Sequence, residues 1–100
     1  MITGVWLLTR EGDQGKPRGA PVSPDQQDRL TLAEGGAMTY FKKARDSENT
    51  GRWSVSADGK TLLMGGDTPE EQEECPILEL TATILRFRSG PLFLTWERRA

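Results

Sequence analysis

The chain has 100 residues, 35% hydrophobic and 28% charged, with a formal charge of −2, which is room for one small domain with a modest core and not the composition of a disordered or fibrous protein. It has no histidine and a single cysteine, Cys75, which excludes a Ser-His-Asp triad, an intrachain disulfide, a Cys/His zinc site and a Cys-x-x-Cys redox pair. The weakly acidic balance supplies no positive field for a phosphate backbone, so nucleic acid is not an expected partner, and neither metal nor cofactor is expected. No apolar stretch approaches the ~20 residues that span a bilayer. Residues 1 to 10 lack the basic start and long apolar run of a signal peptide, so the chain as written reads as cytoplasmic; a removed leader would make it periplasmic or an exported lipoprotein.

Helical periodicity is missing, and short runs of aliphatic, β-branched and aromatic residues bounded by Gly, Pro, Asp and Ser predict eight strands. In chain order they are GVWLLTR (4–10), QDRLTLA (27–33), AMTYFKK (37–43), TGRWSVS (50–56), KTLLMG (60–65), CPILELT (75–81), TILRFRS (83–89) and PLFLTWERR (91–99). The connectors at 34–36 and 57–59, with Gly-Gly and Asp-Gly, and the break near Ala82 are tight. Those at 11–26, 44–49 and 66–74 are longer, and Ser89-Gly90 is short. Alternate connectors of an up-and-down meander lie at opposite ends, so the expected fold is all-β: a single antiparallel eight-stranded barrel with a closed base and an elaborated mouth. A six-stranded half-open barrel or roll, in which one or two of the weaker runs, 75–81 above all, are loop, is the second reading. The Gly- and Pro-rich loop 11–26 is either a lid or an exposed loop. Thr68, Pro69 and Glu71 fit a capping box, predicting one short helical turn within 69–74, and the acids from 67 to 74 read as a solvated face.

Strand alternation, phased on the most apolar set of each run, turns Trp6 and Leu8, Leu30 and Leu32, Met38 and Tyr40, and Trp53 and Val55 inward. On the later strands it turns Leu62 and Met64, Leu78 and Leu80, Leu85 and Phe87, and Leu94 and Trp96 inward. Bulky residues at nearly every inward position predict a packed base and, at most, a modest cavity near the mouth; Trp53 and Trp96 are structural on this reading. The same phase carries Arg10 and Lys42 onto the inner face near Tyr40, Met64 and Phe87. These five residues form a candidate site for a small hydrophobic or anionic amphipathic molecule, such as a fatty acid; alternatively both cations snorkel into solvent. Val5, Leu7 and Phe93, with Ile84 beside them, form an outer apolar patch that suggests a homodimer seam. Cys75 reads as a buried, inert thiol.

The opening "GVWLLT" resembles the Gly-x-Trp start of the lipocalins. "GRWSVSADGKTLLM" and the closing "LFLTWERR" are similar to short bacterial lipocalin-like domains of the calycin superfamily. The order of features matches over essentially the whole chain: Gly4 and Trp6, a long first loop, Gly35-Gly36, Gly51-x-Trp53, Asp58-Gly59 and a last strand ending in arginine. The resemblance implies an up-and-down barrel in which Trp6 plugs the closed end and Arg98 lies over its ring, Gly4 being part of the same structural set. The function expected is non-catalytic binding of a small molecule at the mouth. The alternative is a structural or protein-interaction domain with a side-chain-filled barrel, and no catalytic residue can be named.

Overall fold

Strands and single 3-10 turns follow one another as β1 (Gly4–Gly12), β2 (Ala20–Pro21), a turn at Pro24–Gln26, β3 (Arg29–Leu32), β4 (Ala37–Lys42) and a turn at Lys43–Arg45. Then come β5 (Ser47–Val55), β6 (Thr61–Gly65), a turn at Pro69–Glu71, β7 (Gln72–Leu80), β8 (Ile84–Ser89) and β9 (Leu92–Arg98). The computed structural model describes residues 2–16 and 18–99, and at residue 69 the backbone alone. Met1, Ala100 and Pro17, the last within the predicted long loop, lie outside them. The sheet order is β2-β1-β3-β4-β5-β6-β7-β8-β9, and β1 also pairs with β9. That pairing closes an eight-stranded antiparallel barrel from β1 and β3–β9, with β2 as an extra rung on β1. The half-open alternative fails because β7 is a full strand, paired with β6 on one side and β8 on the other.

Local chemistry accounts for the turns. Gly35 and Gly36, at φ 87° and 95°, and Gly59, at φ 74°, supply the left-handed backbone that the tight connections need. At the third, Thr81 Oγ1 accepts from the amides of Thr83 and Ile84, at 3.3 and 3.0 Å, a hydroxyl-made turn that explains the break near Ala82. Two expected long connectors are shorter than their composition implies. The Lys43–Arg45 turn ends on Asp46 at φ 48°, so β5 begins at Ser47 and not at 50. Thr68 donates through its amide and its hydroxyl to Glu71 Oε1, at 3.3 and 2.9 Å, forming the capping contact. The helix nevertheless ends after one 3-10 turn, because Gln72 already pairs with Gly65.

Two register shifts change which side chains face inward. In β1 the pairing with β9 slips between Leu8 and Arg10: Leu8 opposes Trp96, but Arg10 opposes Thr95. In β7 it slips between Ile77 and Glu79. One extra residue in a strand moves everything beyond it to the other face. Cys75 and Ile77 therefore point inward before the second bulge and Leu80 after it, whereas Leu78 is 47% exposed. The inward assignment of Leu78 is thus corrected, because simple alternation carries no signal for the bulge.

The interior is filled. Trp6, Leu30, Leu62, Leu85, Phe87 and Trp96 have no solvent-exposed surface. Trp96 stacks on Phe87 with centroids 5.9 Å apart and planes at 17°, and meets Tyr40 edge to face at 5.9 Å and 85°. One indole, one phenyl and one phenol ring thus fill this cross-section of the barrel.

Candidate functional site

The closed end is held by one cross-terminal arrangement. Trp6 donates from Nε1 to the Ile2 carbonyl at 2.9 Å. Arg98, directly across the seam from Trp6, places its guanidinium carbon 4.3 Å from the indole centroid. The same guanidinium donates from Nη1 to the Thr3 carbonyl at 2.6 Å and from Nε to the Ala82 carbonyl at 2.8 Å. Gly4 sits at φ 138°, and a Cβ there would collide with Arg98 Nη1, so glycine is what lets the cation lie over the ring. Trp53 is half-buried at the adjoining turn and donates from Nε1 to the Ala33 carbonyl at 2.8 Å. These indole and guanidinium bonds all end on backbone carbonyls, which describes a structural plug.

The mouth is built differently. Asp28, only 4% exposed, accepts from the Tyr40 hydroxyl at 2.7 Å and from the Lys43 amide at 3.1 Å, and Lys42 Nζ lies 3.7 Å from its carboxylate. Its carbonyl accepts from the Leu8 amide at 2.9 Å, which ties this carboxylate to β1. The chain from 20 to 26 folds back along β1, with the Val22 amide donating to the Thr9 carbonyl at 2.9 Å. Between this returning segment and the barrel rim lies a cleft of about 470 Å³. Leu8 and Val22 give it an apolar floor and wall; Glu11, Asp28, Lys42 and Gln26 give it polar groups. Burial first, then the hydrogen bond to Asp28 and the negative charges of Asp28 and Glu11, push the Tyr40 hydroxyl well above its ordinary value. It remains a neutral donor throughout the physiological range.

The five residues proposed for ligand contact are dispersed. Tyr40 and Lys42 meet at Asp28. Met64 is half-buried against the core, and Phe87 has no exposed surface. Arg10 is corrected: the β1 bulge turns it to the outer wall, where it donates from Nε to the Arg18 carbonyl at 3.1 Å and from Nη2 to the Gly19 carbonyl at 2.8 Å. The bulge brings Glu11 to the mouth cleft in its place. Asp28 was legible, because the alternation that turns Leu30 and Leu32 inward also turns residue 28 inward; Glu11 and Val22 were not, since they depend on the bulge and the folded-back loop. The outer apolar residues also separate. Val5 and Leu7 flank Arg29 and Phe41, whose guanidinium and ring are 5.1 Å apart. Glu97 stands between Leu7 and Ile84, and Phe93 lies toward the mouth between Gly12 and Arg88. They are therefore not one continuous patch.

Cys75 is free and fully buried. Burial, and then the charge of Glu73, push its thiol up to about 12, so it stays protonated and poorly nucleophilic. Ser89 Oγ lies 3.0 Å from both carboxylate oxygens of Glu73. Among the described residues no group of three or more acidic, cysteine or histidine side chains is placed to hold a metal ion. Among them, too, no helix is long and apolar enough to cross a membrane.

A closed meander plugged by a tryptophan under a C-terminal arginine, with its loops gathered at the opposite rim, defines a calycin-type barrel. The chain belongs to the lipocalin-like domain family, whose model matches residues 2–87. The matched span ends inside β8, so Trp96 and Arg98 complete the barrel from outside it. No curated protein and no solved structure matches the chain.

Proposed function

We propose that this protein is a non-catalytic binding module that holds a small amphipathic molecule in the mouth cleft. The observation that carries this reading is the cleft of about 470 Å³, within the size range of small-molecule sites, in which apolar Leu8 and Val22 adjoin the hydrogen-bonded carboxylate of Asp28. The filled interior limits the ligand to the rim, with its apolar part on Leu8 and Val22. The polar lining carries two carboxylates, of Glu11 and Asp28, against the single ammonium of Lys42. That balance favours a polar end bearing hydroxyl or amine donors over a fatty-acid carboxylate, because a buried like charge is repelled.

Calorimetric titration with decanol, decylamine and decanoate tests this, with ¹⁵N shifts locating the site. Saturable binding of the first two, weaker binding of decanoate and shifts confined to residues 8–11, 20–28 and 42–44 are expected. If none binds, or the shifts fall elsewhere, the reading is wrong. The side-chain-filled barrel favours a second reading, a protein-interaction domain; absence of any small-molecule adduct in native mass spectra of protein from its own host would support that one.

A further inference from the structure

We infer that the outer wall of the barrel, at the β1 bulge, carries a second site that binds a small tetrahedral oxyanion, a phosphate or phosphate monoester. A pocket of about 290 Å³ lies there, lined by Arg10, Arg18, Glu79, Arg86 and Thr95. Three guanidiniums thus face one carboxylate in a chain whose overall charge is −2. They come from distant parts of the sequence: Arg10 from the bulged end of β1, Arg18 from the following loop, and Arg86 from β8. Their convergence is a product of barrel closure, since Thr95 of β9 pairs with Arg10 on one side and Arg86 on the other.

The geometry is preorganised. Arg10 is anchored by its bonds to the Arg18 and Gly19 carbonyls, which fixes the plane of its fork and ties the loop bearing Arg18 to the wall. Arg86 has 23% of its side chain exposed and lies 3.6 Å from Glu79 Oε1, so the same pocket wall offers it solvent on one side and a carboxylate on the other. Guanidinium stays charged at every accessible pH, and its planar donors match phosphate oxygens. Thr95, 8% exposed, forms the floor between the two strand arginines. This site is independent of the mouth cleft: the β1 bulge turns Arg10 outward and Glu11 to the rim, so the two sites lie on opposite faces of one strand.

Inorganic phosphate is the probe for calorimetry on the full chain at low chloride. Saturable one-to-one binding is expected, weakened at least about tenfold by Arg18→Gln and strengthened about threefold by Glu79→Gln. The control, Lys60→Gln at the β5–β6 turn, makes the same change in net charge and should leave affinity unchanged. Arg18 is exposed and only its backbone carbonyl holds Arg10, so circular dichroism of Arg18→Gln should match the parent. Equal loss with Lys60→Gln, or no loss with Arg18→Gln, would overturn the site in favour of diffuse electrostatics. Flotation with phosphatidate vesicles separates the sources: co-flotation abolished by Arg18→Gln assigns the anion to a lipid headgroup, and phosphate binding without flotation assigns it to a soluble phosphate.

Discussion

The two ends of the barrel use polar groups in opposite ways. At the closed end Trp6, Trp53 and Arg98 all direct their donors at backbone carbonyls of neighbouring turns and termini. At the mouth a buried carboxylate, Asp28, draws in Tyr40, Lys42 and the Lys43 amide, while the returning 20–26 segment stands off enough to leave a cleft. On the proposed reading a single short barrel separates stability from recognition along its axis, and substitutions at the two ends should separate in the same way.

Trp6→Ala should have the largest effect, costing ~3–5 kcal/mol in chemical denaturation, because a fully buried indole leaves a cavity that also releases Arg98. Arg98→Ala follows at about 2–3 kcal/mol from two charge-assisted hydrogen bonds and a cation–π contact. Arg98→Lys should recover less than half of this, since an ammonium cannot serve both carbonyls and the ring. Neither arginine variant should alter ligand affinity at the mouth beyond what unfolding accounts for.

Asp28→Ala should cost about 2 kcal/mol, because it strands the Tyr40 hydroxyl and the Lys43 amide, and it should abolish binding in the cleft. Spectrophotometric titration should also show the Tyr40 phenol ionising at lower pH, although burial keeps it above the ordinary value. Alkaline pH tests the interior more gently. Both Tyr40 and Cys75 have folded-state values raised above the ordinary 10.0 and 9.0. Their stabilisation is complete below those unfolded values and is lost as pH rises: from 9.0 to about 12 for Cys75, and from 10.0 upward for Tyr40. Each contributes a slope of about 1.4 kcal/mol per pH unit within its window. Urea midpoints measured across that range should flatten by one slope in Tyr40→Phe and by another in Cys75→Ala. Leu78→Ser should change stability by less than about 0.5 kcal/mol; a loss comparable to that of Ile77→Ser would show that the β7 bulge is misplaced.

Much of the barrel was legible from residue order. Gly-Gly and Asp-Gly pairs fall at two of the three tight turns, and apolar alternation identifies the inward residues of β3, β4, β8 and β9. The resemblance of Gly4, Trp6 and the last strand's arginine to the lipocalin pattern implies a plugged seam, and Arg98 does lie over the Trp6 ring. The candidate site was read less well. Alternation placed Arg10 inside and passed over Asp28, although Asp28 continues the phase of Leu30 and Leu32.

What the amino-acid order determined by itself is local: where the chain turns, which segments extend, and which side chains of an unbroken strand share a face. Composition also determined that neither histidine nor paired cysteines could do chemistry. The tertiary structure alone decided the two bulges and the fold-back of the loop onto β1. These depend on how strands from opposite ends of the chain fit around a filled interior, and one extra residue in a ladder inverts every side chain beyond it. That inversion carried Arg10 from the mouth to the outer wall, and set Glu11 in the cleft in its place.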